Sequence, residues 1–317
     1  MRIVFMGTPD FAVPSLKLLL ERGWDVAAVV TQPDRPKGRK RELTPSPVKR
    51  YALEKGLPVL QPERMRAPEA IEAVAAWKPD LIVTAAYGQI LPKPVLELPR
   101  LGCVNVHGSL LPRYRGGAPI QRSIMAGERE TGVTIMYMAE GLDTGDMIAS
   151  VALPITDEDT AGTMFEKLSA AGAELLIETL PKLADGTAPR VPQDEALATY
   201  APNLTREDER LRWERTSREL FNQTRGLLPM AGAFTYLNGE VFKVWGCRAP
   251  KEADAKLDAQ AREAAPGTVL AADADGIRVR TGDGSLVLTQ VQPAGKKVLS
   301  AADYARGARL APGTVLG

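Results

Sequence analysis

The sequence predicts an α/β protein whose first half is a parallel sheet wound with helices and whose last third is a small β-rich body. Three observations carry this. Apolar runs of strand length alternate with helix-periodic stretches as far as Leu183. Residues 184–204 then collect Gly186, Pro189, Pro192, Pro202 and Asn203 without periodicity, and strand-length runs separated by turn signals dominate the remainder of the chain. Strands alternating with helices imply parallel pairing and right-handed crossovers, with ligands placed beyond the C-terminal ends of the strands.

In order, Ile3-Val4-Phe5-Met6 reads as a strand, Gly7-Thr8-Pro9-Asp10 as a turn, and the stretch from Pro14 to Glu21 as a helix. Further strands are expected at Val26 to Thr31, Leu81 to Ala85 and Cys103 to His107, with helices at Pro47 to Lys55 and Pro68 to Ala76 between them. The spacing of Met164, Phe165, Leu168, Leu175, Leu176, Thr179 and Leu180 predicts one long helix from Thr160 to Leu183. After the Pro- and Gly-rich connector, a helix is expected at Ser217 to Arg225. Strands come next at Ala233 to Leu237 and Val241 to Trp245, flanking the hairpin signal Asn238-Gly239, then at Thr268 to Leu270, Gly276 to Arg280 and Leu286 to Val291. Such strands make a small barrel or sandwich, with the Ala-, Lys-, Asp- and Glu-rich stretch Lys251 to Ala265 as a solvated loop. The domains expected are residues 1–184 and 206–317, joined by a linker at 185–205.

A chain of 317 residues exceeds what one core usually organises, which agrees with two domains. With 44% apolar and 25% charged residues it matches an average globular protein, which argues against wholesale disorder, a fibrous repeat or a disulfide scaffold. No apolar run approaches the ~20 residues of a membrane span, and the N-terminal apolar stretch is too short for a signal-peptide core, so a cytoplasmic protein is expected. Cys103 and Cys247 stand far apart with no metal-ligand spacing, so neither a metal site nor a disulfide is expected. The net charge is only +1, but residues 31–50 hold seven cations, Arg35, Lys37, Arg39, Lys40, Arg41, Lys49 and Arg50, against Asp34 and Glu42. A positive segment on an otherwise slightly acidic body is suited to aiming a polyanion at one place. Pro33, Pro36, Gly38, Pro45 and Pro47 make that segment a poor helix, so an exposed loop is expected after the second strand.

The only histidine, His107, closes the predicted strand within Asn105-Val106-His107-Gly108-Ser109-Leu110-Leu111-Pro112. Strand alternation puts Asn105 and His107 on one side, where an amide beside an imidazole is poor core material and good active-site material. Gly141-Leu142-Asp143-Thr144-Gly145-Asp146 supplies carboxylates on a glycine-flanked loop able to approach a histidine. Gly7-Thr8-Pro9-Asp10-Phe11 is not a G-x-G-x-x-G fingerprint, which argues against dinucleotide binding.

Taken together, Gly7-Thr8-Pro9-Asp10-Phe11, the run from Thr31 to Arg39, the Asn105 to Pro112 segment, Arg115-Gly116-Gly117-Ala118-Pro119-Ile120-Gln121 and the Gly141 to Asp146 loop resemble the methionyl-tRNA formyltransferase family. The likeness continues into Tyr200-Ala201-Pro202, Trp213, Gly226-Leu227-Leu228-Pro229, Lys243-Val244-Trp245 and Gln292-Pro293-Ala294-Gly295-Lys296-Lys297, so it covers nearly the whole chain. The resemblance implies a Rossmann-like parallel-sheet formyltransferase domain followed by a small OB-like β-barrel. It also implies transfer of the formyl group of 10-formyltetrahydrofolate to the α-amino group of initiator methionyl-tRNA, by a monomer without a metal.

By the same carry-over Asn105, His107 and Asp143 are the catalytic residues. Asn105 would donate to the oxyanion, His107 would donate to it or shuttle the proton, and Asp143 would orient His107 or accept the proton; which of the two is the base stays open. Ser109, Leu110, Leu111 and Pro112 with Tyr87, Gly88 and Ile90 would line the folate pocket. Arg35, Lys37, Arg39, Lys40 and Arg41 would meet tRNA phosphates near the acceptor end, and Lys243, Lys296 and Lys297 would contact tRNA from the C-terminal domain. Residues 206–317 carry 17 cations and 14 anions, so that domain is only mildly basic. The other readings are a formyltransferase acting on a small amine, a tRNA-binding module without catalysis, and a folate hydrolase releasing formate.

Overall fold

Ile3, Val4, Phe5 and Met6 are all fully buried, as a strand covered on both faces requires. In this computed structural model, which describes residues 1–38, 41–251 and 263–317, they form β1 (Arg2–Gly7). The strands of the first half continue as β2 (Asp25–Val30), β3 (Arg35–Lys37), β4 (Glu42–Thr44), β5 (Val59–Leu60), β6 (Leu81–Ala85), β7 (Cys103–His107), β8 (Glu130–Tyr137) and β9 (Met147–Pro154). Seven of them make one sheet in the order β5-β2-β1-β6-β7-β8-β9. β1 pairs in parallel with both β2 and β6, and β6 in parallel with β7. The strand order therefore reverses between β1 and β6, and the crevice beyond their C-terminal ends is where such sheets take ligands.

The register aligns Gly7 with Ala85 and Thr84 with Asn105, so the ends of β1, β6 and β7 lie in one row. Gly7 ends β1 because the chain turns at once into α1 (Val13–Glu21) through a 3-10 turn. A Cβ there would sit 2.7 Å from Ala12 Cβ and 3.0 Å from the Ala85 carbonyl oxygen.

Beyond β5, the short helices Lys93–Leu96 and Pro119–Met125 and the strand β9, none of which the sequence pattern predicts, two features of this half depart from expectation. The sheet is mixed, because β8 runs antiparallel to β7; β8 is buried from Thr131 to Tyr137, but Thr131, Gly132 and Thr134 break the apolar run that would announce it. The basic segment is also more ordered than a loop. Arg35 pairs with Thr44, Pro36 with Leu43 and Lys37 with Glu42 in a two-stranded antiparallel hairpin. Behind it α2 (Pro47–Glu54) starts at Ser46, whose hydroxyl accepts the Lys49 backbone N–H. Lys49 Nζ reaches back 2.7 Å to Asp34 Oδ2 at the hairpin's base.

The helices α3 (Pro68–Ala75), α4 (Lys93–Leu96), α5 (Pro119–Met125) and α6 (Ala161–Asp185) complete the first half. On α6, Gly172 allows close approach to the sheet, since a Cβ would lie 2.9 Å from Val106 Cγ1.

The chain forms two compact units, one of residues 1–119, 130–153 and 165–201, the other of residues 120–129, 154–164 and 202–317. Most of the expected connector thus belongs to the first unit. In the second unit Arg122 forms a bidentate pair with Asp208, and buried Arg225 on α7 (Ser217–Leu227) donates to the carbonyls of Thr156 and Asp159.

The second unit's strands are β10 (Ala233–Leu237), β11 (Glu240–Arg248), β12 (Val269–Asp273), β13 (Gly276–Arg280), β14 (Ser285–Pro293) and β15 (Leu299–Ser300). The sheet order is β10-β11-β14-β13-β12, with β15 on β14. Leu237 and Thr268, at its two opposite margins, both bridge to the last residues, Leu316 and Val315. The chain end thereby bridges both margins of the sheet, as in a closed barrel. Leu220, Phe242, Val244, Ile277, Leu286, Leu288 and Trp213 fill its interior. Most of the expected loop from Lys251 to Ala265 lies outside the described residues.

Candidate active site

Asn105 and His107 stand on one face at the C-terminal end of β7, as strand alternation requires. The Thr84 hydroxyl, on the neighbouring strand, lies 2.8 Å from Asn105 Oδ1. A hydroxyl that donates to the amide oxygen fixes the amide's orientation and leaves the two Nδ2 protons for another acceptor.

His107 is only 6% exposed, and its Nε2 lies 3.0 Å from the Tyr114 carbonyl oxygen. A carbonyl only accepts, so Nε2 carries a proton and the neutral ring presents a bare Nδ1. That Nδ1 faces Asp143 Oδ2 at 3.7 Å, beyond direct hydrogen-bond distance. Two acceptors aimed at each other across such a gap call for a proton, carried by the ring itself or by a third group between them.

Asp143 sits in the loop between β8 and β9 in a left-handed conformation, φ 52°, and its Oδ2 accepts the Gly116 backbone N–H at 2.8 Å. The loop can close this tightly because residue 145 is glycine; a Cβ there would lie 1.8 Å from the Tyr137 carbonyl oxygen. The segment after β7 is held with equal care. Thr134, fully buried on β8, donates to the Ser109 carbonyl at 2.7 Å and accepts the Leu111 N–H at 3.2 Å.

The structure thus brings Asn105, His107 and Asp143 together. The residues expected to line a folate pocket divide. Ser109 is fully buried and donates to the Arg113 carbonyl at 2.7 Å. Leu111 is buried in the core, while Leu110 packs where a Cβ on Gly132 would lie 2.5 Å from its Cδ2. The peptide between Leu111 and Pro112 is cis. Tyr87 is buried with its hydroxyl toward Met65 Sδ at 3.8 Å, while its carbonyl accepts the Thr8 hydroxyl at 2.8 Å. Burial pushes the Tyr87 phenol up to about 12. The Ser109 N–H and carbonyl, the Leu111 N–H and the Tyr87 carbonyl are thus engaged within the protein. Gly88 lies at the surface in a left-handed turn, φ 90°, and Ile90 is 82% exposed. Bare backbone beside an apolar side chain suits a flat heterocycle.

The basic residues fall into two sets. In the hairpin Arg35 and Arg41 are exposed and Lys37 lies on β3; Arg39 and Lys40 lie outside the described residues. In the second unit Lys243 donates to the Ala231 carbonyl at 2.7 Å and lies over the Trp245 ring, whereas Lys296 and Lys297 are exposed after β14. Among the described residues no group of three or more His, Cys, Asp or Glu side chains could hold a metal ion, and no helix is long and apolar enough to cross a membrane.

Sequence reasoning did not find Thr84, the Tyr114 carbonyl, the Gly116 N–H or the salt bridge from buried Arg115 to Glu195. Only Thr84 left a trace, as the one polar residue in the apolar run Leu81 to Ala85.

A parallel strand end carrying an amide, an imidazole and a facing carboxylate can stabilise an oxyanion and move a proton, as acyl transfer to an amine requires. Residues 1–180 match the family model described as formyl transferase and residues 203–309 the one described as formyl transferase, C-terminal domain. The methionyl-tRNA formyltransferase of Bacillus subtilis (strain 168) is 56% identical over 317 residues, covering 100% of this chain and 98% of that one. The methionyl-tRNA formyltransferase of Pelotomaculum thermopropionicum is 50% identical, covering 100% of this chain and 99% of that one. The chain belongs to the methionyl-tRNA formyltransferase family.

Solved structures share the fold at low identity. HypX from Aquifex aeolicus in complex with tetrahydrofolic acid superposes with a TM-score of 0.64 at 21% identity over 96% of this chain. This chain spans only 47% of HypX. The sugar 3N-formyl transferase WlaRD gives a TM-score of 0.65 at 18% identity, over 94% of this chain and 99% of that one.

Proposed function

We propose that the protein transfers the formyl group of 10-formyltetrahydrofolate to the α-amino group of initiator methionyl-tRNA. The observation that carries the reading is the meeting of Asn105, His107 and Asp143 at the end of β7 in a chain about half identical, end to end, to methionyl-tRNA formyltransferases.

The folate supplies the formyl carbon; the chain's residues manage charge and protons around it. As the amine nitrogen adds to that carbon, the carbonyl π pair moves onto its oxygen. Asn105 Nδ2, turned outward by Thr84, donates to that oxygen. The nitrogen that forms the new C–N bond becomes acidic and must lose a proton. His107 Nδ1 and Asp143 Oδ2, two acceptors 3.7 Å apart, receive it between them. Tyr114 holds the opposite ring nitrogen protonated, so Nδ1 is the basic atom of the neutral ring. The C–N bond to the folate then breaks with its electron pair on the folate nitrogen, which takes up a proton from the same pair. Atoms and charge balance with no covalent enzyme intermediate.

Ser109, Leu110, Leu111 and Pro112 with Tyr87, Gly88 and Ile90 supply the folate pocket, with the exposed Gly88 backbone and Ile90 side chain at its surface. Arg35, Lys37, Arg39, Lys40 and Arg41, joined by Lys243, Lys296 and Lys297, bind tRNA phosphates, which gives affinity without sequence readout. The protein works as a cytoplasmic monomer in this reading.

The test mixes the protein with 10-formyltetrahydrofolate and, in parallel, charged initiator methionyl-tRNA, charged elongator methionyl-tRNA and free methionine. Formylated product with the initiator alone is expected. Equal product from free amines overturns the acceptor, and formate release without acceptor makes the protein a hydrolase. Deleting residues 36–42 sharpens the result, since a small-amine enzyme would keep its activity.

A further inference from the structure

The connector residues 190–201 do more than lead the chain out of the first unit. They lie beside the loop that carries Arg115, with the Arg115 N–H donating to the Thr199 carbonyl at 2.8 Å and the Ala201 N–H to the Arg115 carbonyl at 2.6 Å. The approach is close enough that a Cβ on Gly116 would lie 2.8 Å from the Ala201 carbonyl oxygen. Inside this contact Arg115 is fully buried, its side chain 0% exposed. A guanidinium removed from water needs its donors satisfied. Glu195 takes two of them, from Nη1 at 3.0 Å and Nη2 at 2.8 Å, and Gln193 Oε1 takes Nε at 3.0 Å.

The same Gln193 faces the other way with its amide nitrogen. Nε2 donates to the Asp143 carbonyl at 2.7 Å and to the Gly145 carbonyl at 2.8 Å. One side chain therefore joins the buried arginine to the peptide of the carboxylate that faces His107. Arg115 itself lies between Tyr114, whose carbonyl holds His107 Nε2, and Gly116, whose N–H holds Asp143 Oδ2. Both members of the His107–Asp143 pair are thus tied to one tripeptide, and that tripeptide is tied through Arg115 to the connector.

We propose that Gln193, together with the Arg115–Glu195 pair, is a positioning clamp that sets the separation of His107 Nδ1 from Asp143 Oδ2. None of the three touches the reacting atoms in this scheme; they act through the histidine and the aspartate. The gap of 3.7 Å serves proton transfer only while both groups stay in place, and displacement by about 1 Å can cost on the order of 10²-fold in rate.

Three variants test it. Gln193→Ala removes both functions of the side chain. Gln193→Glu keeps its size and its acceptor toward Arg115 but turns an acceptor toward two carbonyl oxygens. Glu195→Gln keeps a neutral acceptor and one oxygen toward the guanidinium and acts as the conservative control. With initiator methionyl-tRNA and 10-formyltetrahydrofolate, Gln193→Ala and Gln193→Glu are expected to lower kcat roughly 10- to 100-fold with both KM values within about threefold. Glu195→Gln should lose less than Gln193→Glu.

His107 is the only histidine, so its ring Cε1–H resonance is read directly at fixed pH without substrate. It is expected to shift in both Gln193 variants and hold near its native position in Glu195→Gln. The rate arm rests on the formyl-transfer reading, whereas the resonance does not, so failure of that reading leaves the clamp testable. If Gln193 merely anchored the connector, Gln193→Glu would keep native kcat and a native histidine resonance while retaining its pairing with Arg115, and that result would overturn the proposal. Thermal unfolding of each variant separates a displaced clamp from an unfolded chain.

Discussion

At the end of β7 the polar groups are enclosed and answered by protein: His107 is 6% exposed, with Tyr114 on one ring nitrogen and Asp143 facing the other. Along the β3–β4 hairpin, in the same unit, Arg35 is 63% exposed and pairs with Glu63 at 3.6 Å. In the proposed reaction the difference matches two tasks. A proton moves only between atoms held at fixed separation, so the site invests backbone carbonyls, N–H groups and a buried arginine in geometry. A phosphate is attracted by charge at range and tolerates a flexible cation, so the hairpin needs display and little else.

His107 tests this contrast most directly. His107→Asn is expected to lower the single-turnover rate by roughly 10² to 10⁴ while tRNA affinity stays within about twofold. An equal loss of binding would make the histidine structural and erase the contrast. Next comes Asn105→Ala, which should cost about 10²- to 10³-fold in kcat, as loss of an oxyanion donor does elsewhere. Thr84→Val, which removes only the orienting hydroxyl, should cost about tenfold. The double variant is expected to match Asn105→Ala alone, because Thr84 acts through that amide; additive losses would give Thr84 a separate task.

On the hairpin, Arg35→Ala combined with Arg41→Ala should leave kcat at saturating tRNA unchanged and flatten the dependence of log affinity on log salt by roughly one unit per lost contact. An unchanged slope would put both side chains in solvent when tRNA is bound.

The smallest effect lies at the hairpin's base. The hydrogen bond from Lys49, with a second from Gln61, holds the Asp34 carboxyl below its ordinary value. A carboxylate lowered on folding contributes stability above the usual range near pH 4 and loses it as the pH falls through the lowered value. Urea unfolding between about pH 6 and pH 2 should therefore be slightly flatter for Asp34→Asn. A steeper dependence would reverse the sign assigned to the pair.

Much of the fold was legible. Leu81–Ala85, Cys103–His107, Ala233–Leu237 and Gly276–Arg280 form strands over the residues their apolar patterning predicts, and the long helix from Ala161 to Asp185 matches its apolar spacing. β8 was not read, because Thr131, Gly132 and Thr134 interrupt its apolar run, whereas the equally buried β6 is apolar but for Thr84. The hairpin was read as a loop because its prolines mask two three-residue strands that pairing alone stabilises. In the site, Asn105 and His107 share a face by alternation, which can be counted along the strand.

The sequence by itself determined the order of elements, the residue types at the end of β7 and the placement of charge in residues 31–50, because periodicity, turn chemistry and charge are properties of neighbouring residues. Only the tertiary structure decided that Asp143 faces His107, that Thr84 turns the Asn105 amide, and that Gln193 and Glu195, 78 and 80 residues beyond Arg115, enclose its guanidinium. Such contacts join residues with no local pattern in common. They exist because a buried polar group must find its partner wherever the packed chain brings one.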